Sequence, residues 1–341
     1  MLKSKNILLF ASLTFLMLVL FILDIGLGQV SIPLKEVFKS LAGQDASKET
    51  WQYIIVNFRL PKAITAVLVG MGLSISGLLM QTMFRNPLAG PDVLGLSSGS
   101  SLGVAFVILG ASFLPSMFGS LVVSSYGIII ASCLGSFLVL LAVLVVSQRL
   151  RNTMSILIIG IMFGSFTSAF VGVLTYFSTA EQLQKFSFWS LGNLGNLSWT
   201  SILILAVSVF IGLFLSLASI KSLDALLLGE NYAKSLGLNF KKARLTIIFA
   251  TSILAGSITA FAGPIAFIGL AVPHIVKLVF QTSSHRVLFL GTLLSGAIIM
   301  LICDIVSQVP GTDIILPINA ITSIIGAPVV IWLLVQKKQF N

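Results

Sequence analysis

The residues that could do chemistry in this chain are few, and their placement narrows what that chemistry can be. Only 9% of the 341 residues are charged. Two carboxylates, Asp24 and Asp304, fall near the ends of long apolar runs, a setting in which an acid can mark an ion or proton pathway. The same positions suit carboxylates that reach water or an interfacial partner, and too few acids lie deeper to outline a proton relay. Arg59 and Lys62 flank Leu60-Pro61, which puts two cations within one turn at the head of an apolar run, with Pro61 suited to an early helical position. Such a pair either anchors a helix at the interface or meets an acidic partner, a contact that orients more than it tightens. His274 and His285 are isolated, and there is no C-x-x-C, H-E-x-x-H or His/Cys cluster, so no metal site is assigned. No G-x-x-x-x-G-K-[S/T] loop is present, so the chain lacks the phosphate cradle of a nucleotide hydrolase. Nothing in the sequence places a serine beside His274, and no catalytic residue is assigned.

These residues must be positioned by elements built for lipid. Hydrophobic residues make up 57% of the chain, and a soluble domain would carry about 25% charged residues. A bilayer core takes roughly 20 apolar residues per helix. Apolar runs near 7–27, 61–83, 97–114, 122–147, 153–177, 199–219, 243–261, 265–281, 286–308 and 316–335 predict about ten transmembrane helices in an all-α, polytopic membrane protein. No linker or repeat divides it, so residues 1–341 read as one transmembrane domain. The opening run is followed by Asp24 and Gly28-Gln29 without a small-residue cleavage site, and reads as a retained first span. Cys133 and Cys303 both lie inside apolar runs, which implies no disulfide framework.

Two stretches interrupt the helices. In FRNPLAGPDVLGLSSGSSLG (84–103), Pro87, Gly90 and Pro91 stop the chain between spans two and three. Broken backbone at membrane depth is tolerated only inside protein or along a cavity. Ser97, Ser98 and Gly99, followed by Ser100 and Ser101, then open a helix with small side chains. They serve either close helix packing or a polar pathway wall, as do Gly70, Gly72, Ser74, Ser76 and Gly77 of span two. In FAGPIAFIGLAVPHIVK (261–277), Pro264 and Pro273 predict a kinked helix whose freed carbonyls need partners, His274 among them.

The net charge of +10 is scattered over short loops and forms no stripe, which argues against nucleic acid. With both termini inside, fourteen of the twenty basic residues fall on the inner side, as the positive-inside rule requires. Outer segments are then 28–60 and 178–198, the second with Trp189 and Trp199 at interface depth and room for a short helix along the surface. The inner segment 221–244, KSLDALLLGENYAKSLGLNFKKAR, has Leu223, Leu226, Leu227 and Leu228 on one side and Glu230, Lys234, Lys241 and Lys242 elsewhere. It cannot span a bilayer. It reads as a surface element presenting a knob to a soluble partner, hence as part of a transporter with a separate engine. An ion-coupled secondary transporter is the rival class.

Together these segments resemble the FecCD-type permeases, the membrane subunits of binding-protein-dependent ABC importers for iron–siderophore complexes, haem and cobalamin. The matching stretches are RLPK (59–62), Gln81 with NPLAGPDVLGLSSGSSLG (86–103), LGENYAKSLGL (228–238), GPIAFIGLAVPHIVK (263–277), HR (285–286), DIV (304–306) and LPINAITSIIGAPVVIWLL (316–334). The resemblance implies a type II importer permease in a bacterial cytoplasmic (inner) membrane, paired with a second permease subunit as a homodimer or a pseudo-dimer. It also implies two cytoplasmic ABC ATPase subunits, which use ATP and Mg, and an extracytoplasmic substrate-binding protein; this chain would bind no cofactor. Ferric siderophore is the expected cargo, with cobalamin or haem as alternatives. Carried over by position, Leu228, Gly229, Glu230, Ala233, Leu236 and Gly237 would couple to the ATPase. Arg59 and Lys62 would dock the binding protein, although the second is usually arginine, whose bidentate fork lysine lacks. Gln308 stands where many members carry a third arginine. Asn86, Leu88 and Thr153 match loops that narrow the inner mouth of the pathway.

Overall fold

In lipid each backbone N–H and C=O must be satisfied within its own segment, so long apolar runs become helices. The computed structural model describes residues 4–110, 124–149, 153–195, 197–235, 237–309 and 314–337, and no strand occurs among them. The helices are α1 (Ser4–Gly26), α2 (Leu34–Leu41), α3 (Glu49–Ile54), α4 (Leu60–Met83), α5 (Leu96–Ile108), α6 (Ser125–Arg149), α7 (Thr153–Tyr176), α8 (Ala180–Ser190), α9 (Trp199–Ala218), α10 (Ile220–Leu227), α11 (Glu230–Ser235), α12 (Phe240–Ala262), α13 (Ile268–Phe280), α14 (His285–Ser307) and α15 (Ile318–Lys337). Among the described residues seven helices are long and apolar enough to cross a membrane. The shorter apolar helices Leu96–Ile108, Ile268–Phe280 and Ile318–Trp332 occupy the other three expected spans.

Two expectations need correcting. The second span does not begin at Pro61 but runs back to Glu49, through a π turn over Ile55–Arg59 that joins α3 to α4. Pro61 has no N–H to give the carbonyl one turn behind it. The wider turn, in which the Leu60 N–H reaches back to the Ile55 carbonyl, absorbs that mismatch without ending the helix. The 261–277 stretch is not one kinked helix. The chain leaves α12 at Gly263, with φ +76°, and Pro264 prevents an immediate restart; only Pro273 lies within a helix, α13.

The chain forms two compact units. The first comprises Met1–Ile75, Asn193–Val207 and Ile265–Asn341. In it α1 lies along α14, and α13 packs on both α14 and α15. Gly70 of α4 meets Gly296 of α14 backbone to backbone, so a Cβ on either would overlap the other's carbonyl oxygen. The α2 and α3 region is tied to the end of α1 by a core of Ile25, Ile32, Val37, Ile55 and Ala63. Glu36 staples it, accepting from the Ser47 N–H at 2.7 Å and from Lys39 Nζ at 3.1 Å.

The second unit comprises Ser76–Gly192 and Ser208–Pro264. Here α5 packs on α6, α7 and α12. Gly99 sits against the Gly135 carbonyl of α6, where an added Cβ would come within 2.6 Å. The Ser100 and Ser136 hydroxyls lie 2.7 Å apart in the same buried seam. Small residues let these backbones approach, and the hydroxyls bond across the gap. The short helix expected in the 178–198 segment is α8, closed at its start by a Thr179–Gln182 capping box.

Two tests follow from this packing. Gly296→Val should destabilise the protein by about 1–3 kcal/mol through overpacking, seen as a lower melting midpoint in detergent. Gly172→Ala, facing open space, should not lower it. The Ser47 N–H and Lys39 hold the Glu36 carboxyl at about 2, against an ordinary 4.5. Its contribution to loop order is therefore complete above about 4.5 and is lost as pH falls toward 2. Hydrogen exchange at the Ser47 amide should show protection declining through that window in wild type, and protection already reduced at neutral pH in Glu36→Gln.

Candidate functional site

In the first unit the end of α1, the π turn and the end of α14 converge on a buried polar cluster. Arg59, the last residue of the π turn, is only 8% exposed. Its Nη1 donates to the carbonyls of Ile25 at 2.9 Å and Gly26 at 2.8 Å, and its Nη2 to the carbonyl of Val30. The first two acceptors close α1, where unpaired carbonyls and the negative end of the helix dipole favour a cation. Lys62 Nζ pairs with Asp304 Oδ1 at 3.0 Å. Gln308 Nε2 donates to Asp24 Oδ1 at 2.9 Å and more weakly to Asp304 Oδ2 at 3.4 Å.

Two acids and two cations thus share one buried site, with Lys62 and Asp304 paired in it. Asp24 and Asp304, read from sequence as able to reach water, are buried at 2% and 1% exposure. The reason is that partners brought in by other helices satisfy them. Of the two expected docking cations, the structure places Arg59 inside, with its fork spent on backbone. Lys62 sits at the edge with 18% of its side chain exposed. Gln308, noted only as a replaced arginine, proves to be a ligand of both acids. The signal available in sequence was the i, i+4 spacing of Asp304 and Gln308 on one helix face.

In the second unit the 221–244 segment is no single helix. α10 ends at Leu227, Gly229 takes φ +115°, α11 follows, and Gly237 takes φ +83° before Asn239 caps α12 by accepting from the Lys242 N–H at 3.0 Å. The expected leucine face divides. Leu223 and Leu226 are buried, whereas Leu227 and Leu228 are exposed, since residues three apart share a face of α10 and the elbow then turns away. Ala233 is fully buried, and Tyr232 is exposed. Leu236 lies outside the described residues, and Glu230 is placed as the first residue of α11. The elbow therefore offers three large apolar side chains, Leu227, Leu228 and Tyr232, on an element too short and polar to enter a membrane.

The other pathway candidates also belong to the second unit. Asn86 Oδ1 accepts from the Leu88 N–H at 2.9 Å, closing a tight turn that leaves the Leu88 side chain exposed. Thr153 is the first residue of α7. Ser97 bonds to Asp92, and Ser98 lies against Gly164 of α7. Gly99 is consumed by packing on α6, so of the two readings left open for this run, packing holds at Gly99. Among the described residues no three of His, Cys, Asp and Glu gather in one place.

The FecCD transport family matches residues 16–336. The hemin transport system permease protein HmuU of Yersinia pestis is 33% identical over 331 residues, covering 96% of each chain. The vitamin B12 import system permease protein BtuC of Citrobacter koseri is 32% identical over 338 residues, covering 99% of this chain and 97% of its own. A solved inward-facing structure of a candidate metal-chelate type ABC transporter superposes with a TM-score of 0.83 at 30% identity, covering 96% of this chain and 99% of that one.

The buried cluster can be tested by a double-mutant cycle. Lys62→Met strands Asp304 without its counter-charge, and removing one partner of a buried pair costs about 3–5 kcal/mol. Adding Asp304→Asn should recover most of that loss, with a coupling of at least about 1 kcal/mol in detergent melts. Additive single effects would show that the pair is not linked.

Proposed function

Because this chain belongs to the FecCD transport family, we propose that it is the membrane pathway of an importer powered by a separate ATPase and supplied by a separate binding protein. It is a multi-pass ABC-importer permease. The observation that carries the finer reading is the elbow between α10 and α11, where Leu227, Leu228 and Tyr232 stand exposed on a segment that lipid cannot cover. An apolar knob in a segment that also carries the exposed Lys221, Lys241 and Lys242 suits the cleft of a soluble partner. The family resemblance makes that partner one of two cytoplasmic ATPase subunits. On this reading both termini face the cytoplasm and a second copy of the chain completes the pathway.

An extracytoplasmic binding protein would meet Lys62, the more exposed cation of the RLPK pair. It would have to compete with Asp304 for that ammonium. The cargo we assign is a ferric siderophore. Haem and cobalamin stand as alternatives because two of the similar permeases carry those substrates in their names. In mechanism, nucleotide-driven closure of the ATPases would move the elbows, and helices packed on small residues would shift to open the pathway to each side in turn. Substrate affinity would reside in the binding protein.

The test uses liposomes holding the permease with its ATPase and binding protein, offered a ferric hydroxamate siderophore, hemin or cyanocobalamin. Uptake should require ATP and all components, and Glu230→Arg should abolish uptake while the chain still inserts at normal yield. Uptake by the permease alone, driven by an ion gradient, would replace this reading with secondary transport. Normal uptake by Glu230→Arg would remove the elbow from the coupling path.

A further inference from the structure

Arg85 plays no part in the reading above, yet its backbone is held in a conformation suited to glycine. α4 closes in a Schellman motif, in which the Arg85 N–H donates to the Thr82 carbonyl at 3.2 Å and the Asn86 N–H to the Gln81 carbonyl at 3.1 Å. That pairing puts residue 85 at the left-handed position following the helix, and its φ is +49°. A side chain is disfavoured there, and such strain persists only where surrounding contacts impose it.

The contact is specific. Arg85 donates through Nε and Nη2 to a single acceptor, the Leu226 carbonyl, at 3.1 Å from Nε. Leu226 lies in the last turn of α10, and its carbonyl, which also accepts from the Gly229 N–H at 3.2 Å, stands at the end of the helix dipole that attracts a cation. The guanidinium also covers Gly229, coming within 3.5 Å of where a Cβ would stand. On its own side Arg85 adjoins a stiff turn, since Asn86 holds the Leu88 N–H with its side chain and the Ala89 N–H with its carbonyl, at 2.9 and 3.1 Å. One planar side chain therefore joins two turns 141 residues apart in sequence, and a fork fixes direction as well as distance.

We propose that Arg85 is a positioning residue that locks the Leu226–Gly229 elbow in register with the Asn86–Leu88 turn, so that displacing the elbow displaces that turn. The inference rests on the importer reading. Without the strut the elbow can move while the turn stays behind, and ATP is hydrolysed without cargo moving.

Arg85→Gly installs the residue this backbone favours, so folding and membrane yield should be kept. Arg85→Asn, also tolerant of the left-handed region, is a second variant too short to reach Leu226. Each complete complex is reconstituted with its ATPase and binding protein. Uptake of whichever cargo wild type carries (ferric hydroxamate, hemin or cyanocobalamin) is measured alongside ATP hydrolysis in the same vesicles. Cargo moved per ATP should fall roughly tenfold or more in both variants, a coupling loss that a purely structural role would not produce. An unchanged ratio in either variant, whatever the separate rates, overturns the proposal and leaves the importer reading intact. Wild-type vesicles without ATP-driven uptake would instead overturn the importer reading, and the strut with it.

Discussion

A charge buried in a membrane protein must find its counter-charge inside the fold, and the first unit is organised around that requirement. Asp24, Arg59, Lys62 and Asp304 come from three helical segments far apart in sequence, and none would be tolerated alone at this depth. They meet where α1, the π turn and α14 end, with Lys62 paired to Asp304, Arg59 bonded to backbone carbonyls, and Gln308 spreading one amide over both acids. The same closure removes Arg59 from the surface. On the proposed importer reading, a docking partner would find Lys62 already paired with Asp304 and would have to compete with that internal bond.

The second unit follows a different rule. Its seam is made of Gly99, Gly103, Ser100, Ala131, Gly135 and Ser136, residues whose small size permits contact without fixing it by large interlocking side chains. The turns around Asn86 and Gly229 lie outside this seam and are closed by their own hydrogen bonds.

Span positions were legible because hydrocarbon imposes length and apolarity on every crossing segment. Nine of the ten expected runs start within a few residues of their helices. The exception, Glu49–Met83, hid because Pro61 ordinarily signals a helix start, and nothing in IVNFR announces a turn of five residues per hydrogen bond. The exposed elbow was legible as a segment but not as two helices, since only the backbone reveals that Gly229 adopts φ +115°. The Asp24–Gln308 contact links residues 284 apart, a separation at which one sequence carries no pairing information. Arg85 gives no sign in the sequence for a related reason: a left-handed turn is ordinarily marked by glycine, and here an arginine holds φ +49°.

The π turn has a mechanical consequence. Because it carries the helix past Pro61 unbroken, α3 and α4 form a rod of 35 residues, about 50 Å at 1.5 Å per residue. Hydrocarbon accounts for about 30 Å of that. The remaining turns carry Trp51 and Ile54, which pack on the core at the end of α1, so the length beyond the bilayer is tied to a neighbouring helix and is no free extension.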